Sequence, residues 1–307
     1  MIELQDATDF INNFEKIYSK KVICIPYTTK EGTRKTILMC KCGKTYISLP
    51  YMSLGVLENR ITDRKTAKFL LFETEEGSII SPNNIKFEIR DTLAHTHNVY
   101  ADKLFLWINI AEKPDLLELF SSNVRRKVHK SIKDGVIVKY GTDKKLLKDF
   151  YYVYTHRMNE INIPPSSKKP IKNAAQIGVT TLFVAYLDGK VVGGATLNKI
   201  TDDVYANSLF ATLHSYNKHY VSYGLHFAMM NFARSSGAIY YSFGRSTRLS
   251  SVHIYKKQWG GEEIPLYWSY SHKQKNIRNN KLAYSLWKKL PFFIAKRLGP
   301  IISKYVY

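Results

Sequence analysis

From residue 136 onward the chain alternates strand and helix signals with little slack between them. Residues 136–140 read as a strand and 143–160 as an amphipathic helix. Residues 163–167, carrying Pro164 and Pro165, read as a loop. Residues 181–187 and 191–200 form a hairpin around Asp188-Gly189, a pair that adopts positive φ readily. A strand over 204–212, a helix over 222–235, a strand over 238–241, a short helix over 252–259 and a strand over 264–270 complete the series. Such alternation points to an α/β or α+β architecture, because each helix must bury one stripe against a sheet face.

The first half has the same rhythm. Residues 21–26, 36–40 and 44–49 read as short strands joined by turns at Glu31-Gly32 and Cys42-Gly43. Residues 62–76 predict a helix, with Thr62 as N-cap and Gly77 just past its end. Strands are expected at 85–89 and 104–110, then a helix over 115–133 stopping at Asp134-Gly135. No repeat is visible residue by residue, yet the recurrence suits two related halves, 1–134 and 135–272, followed by a tail over 273–307.

Composition narrows the partners. With 307 residues, 45% of them hydrophobic, the chain can bury a real core and is not disordered. Its 46 Lys+Arg against 25 Asp+Glu leave a net charge of +21. That excess suits polyanions: nucleic acid, anionic lipid headgroups or a phosphorylated substrate. Cys24, Cys40 and Cys42 lack a fourth ligand at zinc spacing, so no metal is expected, and His95-Thr96-His97 reads as polar surface. The opening residues, with Glu3, Asp6 and Asp9, do not resemble a secretory leader, and no apolar run is long enough to span a bilayer. The expected compartment is therefore the cytoplasm.

The stretch from Tyr241 to Trp268 carries the most chemistry. A strand runs into Phe243-Gly244-Arg245-Ser246-Thr247, then a short helix holding Lys256 and Lys257, then Trp259-Gly260-Gly261 and Pro265-Leu266-Tyr267-Trp268. A guanidinium fork, hydroxyls and ammonium groups beside a glycine turn suit phosphate oxygens, and they equally suit a solvated basic edge.

This block resembles the C-terminal signature of the FemAB-like branch of the GNAT acyltransferase superfamily, and more narrowly the FemAB-related proteins of exopolysaccharide and exosortase loci. Asn123–Ser131 (NVRRKVHKS), Leu49–Gly55 (LPYMSLG) and the tail LWKKLPFFIAKRLGP are similar to that family in the same order. The resemblance implies two tandem GNAT-like domains with a central cleft for acceptor and donor, plus a basic amphipathic helical tail. It implies N-acyl transfer to an amine, with Tyr205, Asn207 and Ser208 on a strand whose N–H groups polarise the donor carbonyl. Ser242 and Lys256 join Asn207 and Ser208 as the catalytic set, and Tyr51, Arg125, Arg126, Arg245, Ser246 and Thr247 join Tyr205 in holding the acceptor and its phosphates. Relatives often carry aspartate where Ser242 stands.

In GNAT enzymes a glycine-rich loop at the next helix binds the coenzyme A pyrophosphate. Here that place holds Tyr216, Ser222, Tyr223 and Gly224, with one glycine, which departs from the pattern. The donor implied is acyl-coenzyme A, or aminoacyl-tRNA, used as a co-substrate with no permanently bound cofactor. No sustained heptads of the helical hairpin found in tRNA-dependent members are present. His219 stands as a candidate proton shuttle.

Arg126, Lys130 and Lys133 share one helical face, as solvated charges or as a phosphate grip. In the tail, residues 272–307 hold nine Lys/Arg and no acid, and Leu282, Leu286, Leu290 and Phe293 fall in one stripe broken at Pro291. That pattern suits an anionic membrane surface at its inner face, or a helix packed on the body with its lysines outward. The acceptor implied is a phosphorylated sugar or lipid-linked glycan of the envelope or of peptidoglycan synthesis. Two other classes fit the sequence: a non-catalytic nucleic-acid-binding protein, from the charge and 22 tyrosines, and a peripheral scaffold that keeps the fold without the activity. Nothing in the sequence fixes the oligomeric state.

Overall fold

The computed structural model describes residues 1–4, 7–58, 66–81, 85–273 and 287–306. Two compact units emerge. Unit 1 comprises Met1–Phe105, Arg245–Arg248 and Ile264–Asn276; unit 2 comprises Leu106–Gly244, Leu249–Glu263 and Ile277–Tyr307. Residue 135, the expected meeting point of the halves, lies inside unit 2.

Unit 1 begins with β1 (Ile2–Leu4) and α1 (Thr8–Tyr18). The helix turns Ile11, Phe14 and Ile17 inward, a spacing of three that puts them on one face. It continues through β2 (Val22–Thr28), β3 (Arg34–Cys42), β4 (Thr45–Ile47), β5 (Val56–Glu58), β6 (Leu71–Glu73), β7 (Ile79–Ile80), β8 (Lys86–Asp91) and the first part of β9 (Asn98–Asn109). β2 and β3 pair antiparallel from Val22↔Cys40 to Thr28↔Arg34. Alternation sends Cys24, Leu38 and Cys40 towards Phe14 of α1, and Ile25, Ile37 and Met39 to a second cluster with Leu71, Phe87 and Ile89.

The helix expected over 62–76 is absent where the structure describes those residues, while Thr62 lies outside them. Leu71–Glu73 is a strand that pairs with β2 and β7. Gly77, at φ +79°, turns a hairpin and does not end a helix, and Leu71 is fully buried in the sheet core. Tertiary burial overrode a weak local preference. Helix α1 carried no sequence expectation.

Unit 2 carries α2 (Ser122–Lys133), β10 (Ile137–Gly141), α3 (Lys144–Glu160), α4 (Lys168–Gln176), β11 (Thr180–Leu187), β12 (Lys190–Lys199), β13 (Val204–Thr212), α5 (Val221–Ser235), most of β14 (Tyr240–Thr247) and α6 (Ser251–Lys257). β15 (Glu262–Tyr270) starts here and runs into unit 1, where it pairs antiparallel with β8. Last comes α7 (Phe292–Val306). The strand order is β10-β11-β12-β13-β14.

The single helix expected over 115–133 is two pieces. A 3₁₀ turn, Leu116–Leu119, is capped by Asp115; α2 is capped by the Ser121 hydroxyl. Phe120 between them is extended and buries its ring edge-on against Trp259 at 5.0 Å. Leu282 and Leu286 of the expected tail stripe lie outside the described residues. α7 starts just after Pro291, whose carbonyl accepts from Ile294 and Ala295, and runs on through Pro300. Among the described residues no helix is long and apolar enough to cross a membrane.

Candidate functional site

In unit 2 the chemistry gathers where β13 and β14 meet. They pair in parallel over three positions only, Val204↔Tyr240 to Ala206↔Ser242. On its other side β13 pairs with β12 in a register that shifts between Ala195 and Leu197, opposite Ser208 and Leu209. A bulge of this kind re-aims backbone groups beside a site. Here it is stabilised locally: Asn207 Nδ2 donates to the Thr196 carbonyl (3.0 Å) and the Leu209 carbonyl (3.1 Å), and Leu209 N–H donates to Thr196 Oγ1 (2.9 Å). Asn207 is buried and occupied in holding the bulge, while Ser208 is exposed and Tyr205 is buried.

Gly244 follows Ser242 on β14, at φ +71°, packed on the Asn207 carbonyl. Ser242 is buried, and its Oγ accepts from Gly244 N–H at 3.2 Å, closing a local turn. Lys256, on α6, is buried to 7% exposure and donates from Nζ to the Gly244 carbonyl at 3.0 Å. Of the expected catalytic set, Asn207, Ser242 and Lys256 thus converge on one backbone stretch of unit 2.

Beneath them lies a group absent from the expected site residues. His226 of α5 is 1% exposed and shares a hydrogen bond with Tyr241 Oη at 2.8 Å. Phe210 stacks on its ring at 4.4 Å, and Phe243, Tyr255 and Trp259 surround it. Burial, and then the Lys256 ammonium, hold its imidazole well below the usual range; burial pushes the Tyr241 and Tyr255 phenols up. The helical spacing of an isolated histidine on an apolar face could have flagged it.

The residues expected to hold a cofactor lie on and just before α5. Gly224 stands at the crossing of α5 and α2, where a Cβ would sit 2.5 Å from Ser131 Oγ. Tyr223 is buried, accepts from Lys127 Nζ (2.9 Å) and donates to Gln258 Oε1 (2.7 Å). Ser222 and Tyr216 are half-buried nearby in sequence. His219, the expected shuttle, pairs with Asp134 at 2.8 Å. Arg125 and Arg126 are exposed and line an open groove of about 670 Å³ with His129, Lys130 and Lys133.

In unit 1 three sequence blocks come together. Arg245 and Arg90 both place their guanidinium over Trp268, at 5.0 and 4.4 Å from the ring centroid. Thr247 Oγ1 accepts from Lys103 Nζ at 2.7 Å, and Lys103, buried to 6% exposure, also reaches Asp102 at 2.9 Å. Ser246 is buried, and its hydroxyl has no hydrogen-bond partner among the described residues. Tyr51 stacks on Tyr18 at 4.8 Å in a loop where Leu49 and Tyr51 hold φ of +46° and +81°. Strained non-glycine backbone of this kind persists only when its surroundings over-determine it. Arg90, Lys103 and Asp102 were missed from sequence, since isolated charges on alternating strands carry no spacing signal. No group of His, Cys, Asp or Glu among the described residues is arranged to hold a metal.

No protein-family model matches the sequence, and no curated protein matches it. Solved structures do. The DUF2156 C-terminal domain of a protein described as a lysylphosphatidylglycerol synthetase, from Agrobacterium fabrum, superposes with a TM-score of 0.54 at 11% identity, over 87% of this chain and 90% of that one. FemX superposes at 0.50 with 13% identity, over 72% and 86%. L-PGS from Bacillus licheniformis does so at 0.50 with 9% identity, over 94% and 98%. Identities this low make the likeness one of architecture, and on that ground the chain has a FemAB/GNAT-like α/β fold.

Proposed function

We propose that the protein is an acyl- or aminoacyltransferase that forms an amide on an amino group of a nucleotide- or lipid-linked envelope precursor. The observation that carries this reading is the bulged β13 beside a β14 that pairs with it for only three residues, with Lys256 held on the Gly244 carbonyl. A bulge redirects N–H groups towards a carbonyl oxygen that gains charge as the amine attacks, and preorganised donors of this type stabilise a tetrahedral intermediate. The names of the fold's neighbours, lysylphosphatidylglycerol synthetase and FemX, support transfer in the envelope.

The amine attacks as the neutral base. A C–N bond forms, the donor's thiol or hydroxyl leaves, and the amine's proton goes to the leaving group or solvent. The donor is an acyl-coenzyme A or an aminoacyl-tRNA. Lys256 and the β13 backbone act at the reacting carbonyl; Asn207 shapes the bulge and Ser208 faces the substrate side. Tyr51, Arg245, Ser246 and Thr247 hold the acceptor, and Arg125 and Arg126 a second anionic group. α7 supports work at an anionic membrane surface: Phe293 and Ile301 are exposed beside exposed Lys296 and Arg297.

The test is mass spectrometry of envelope polysaccharide and peptidoglycan precursors from cells with and without the protein. One missing acyl or aminoacyl mass per repeat is expected; an unchanged mass spectrum at normal expression removes the reading.

A further inference from the structure

Arg90 has 3% of its surface exposed, and within unit 1 it joins the Leu49–Gly55 loop to Trp268 of the Pro265–Trp268 block. Its backbone N–H donates to Ser48 Oγ at 2.9 Å and its carbonyl accepts from Gly55 N–H at 2.8 Å, so it grips both ends of the strained loop that carries Tyr51. Its side chain grips the middle: Nη1 donates to the Met52 carbonyl at 2.9 Å. Nε donates to Glu88 Oε1 at 2.7 Å, which balances the buried charge. Opposite it in the β8–β15 register stands Trp268, and the guanidinium lies over that indole at 4.4 Å. The same indole carries Arg245 at 5.0 Å. Arg245 leads the Arg245–Arg248 segment, which is tied at its far end by Lys103 on Thr247 and by Arg248 N–H on the Asp102 carbonyl at 2.7 Å.

We propose that Arg90 is the positioning residue of the acceptor-phosphate subsite, holding the Leu49–Gly55 loop and, through the shared Trp268 ring, the Arg245 guanidinium in one fixed arrangement. The proposal rests on the reading of Arg245 as a ligand to an acceptor phosphate. Two guanidiniums on one indole repel, so neither settles there unless each is anchored elsewhere. Arg90 is anchored by Glu88 and Met52, so it fixes where the shared indole lies and, with it, the ring face on which Arg245 rests. An arginine holds this set because its planar fork makes two directional bonds and stacks at once; lysine cannot.

The experiment is calorimetric binding of inorganic pyrophosphate to the full chain, with thermal unfolding of every variant. Arg245→Ala is expected to weaken binding about tenfold, the scale of one charge-assisted contact. Arg90→Lys is expected to weaken it by a similar factor, and the double variant no further, because both changes remove the same correctly placed guanidinium. Trp268→Phe keeps an aromatic ring in place and is scored by the same criteria should Arg90→Lys fail to fold. Full affinity in the position-90 and position-268 variants, with Arg245→Ala impaired, overturns the inference and leaves the phosphate reading standing. Losses that add in the double variant also overturn it, as they describe a general structural role. An Arg245→Ala protein that binds pyrophosphate like the parent overturns both.

Discussion

Gly244 packs so tightly on Asn207 that a Cβ added to the glycine would stand 2.3 Å from the asparagine carbonyl oxygen. The same glycine sits at φ +71° and offers its own carbonyl to Lys256. Three constraints therefore meet at one residue: a left-handed backbone, a contact with no room for a methyl group, and the seat of a buried ammonium. Gly244→Ala violates the first two. It is expected to cost at least ~2 kcal/mol, from the left-handed conformation and the displaced backbone together. Urea unfolding checks this, and an alanine protein as stable as the parent would mean that β13 and β14 do not approach this closely.

Lys256→Met keeps the length and apolar stem of the side chain and removes the ammonium from Gly244. If Lys256 acts at the reacting carbonyl, transfer falls on the order of 10²–10³, the range for loss of one preorganised donor. The fold should survive. A steady-state transfer assay beside circular dichroism distinguishes the two effects, and unchanged turnover would take Lys256 out of the site.

Gly224→Ala tests what a glycine at the head of α5 is for. Its Cβ would meet Ser131 Oγ at 2.5 Å but Ser131 Cβ at 3.4 Å, an ordinary contact. The single variant should be destabilised, and Ser131→Ala added to it should restore stability. Alanine is the better helix former by about 1 kcal/mol, so the pair is expected to reach or exceed the parent. Thermal melts of the four proteins settle it. Failure of Ser131→Ala to rescue would show that Gly224 is not held by the helix crossing.

The neutral, buried His226 gives stability a pH dependence. In the unfolded chain its imidazole titrates near 6.5, whereas in the folded protein it stays unprotonated to well below that value. As pH falls through 6.5 the unfolded chain gains a proton that the folded chain refuses, so its contribution is complete above that pH and declines below it. His226→Phe should therefore lose less stability than the parent between pH 7.5 and pH 5.5. Parallel slopes of denaturation midpoint against pH would contradict this.

For α7, binding to vesicles of phosphatidylglycerol should fall when Phe293 and Ile301, 68% and 57% exposed, are both changed to aspartate. Two lost apolar insertions and two added repulsive charges are expected to lower partitioning more than tenfold. Co-sedimentation at fixed lipid measures it, and undiminished binding would place any membrane contact elsewhere.

Much of unit 2 is legible in the sequence. β13 spans Val204–Thr212 as expected, Asp188 and Gly189 turn the β11–β12 hairpin at φ +49° and +73°, and α3 at Lys144–Glu160 matches the helix expected over 143–160. Long periodic segments with their own caps and turns carry this information locally. Within the helix expected over 62–76, residues 71–73 form a strand, because short apolar runs do not distinguish strand from helix and Gly77 ends a helix or turns a hairpin with the same φ.

The order of the chain determined the alternation of strands and helices, the cationic excess, and the presence of a lysine on the helix after FGRST. Which residues work together was decided only by folding. Cross-strand register put Arg90 opposite Trp268, though 178 positions separate them in number. A helix crossing leaves no room for a side chain at Gly224, and burial among five aromatic rings holds the His226 imidazole unprotonated. Register, burial and close approach are relations between distant segments, and local preference carries no record of them.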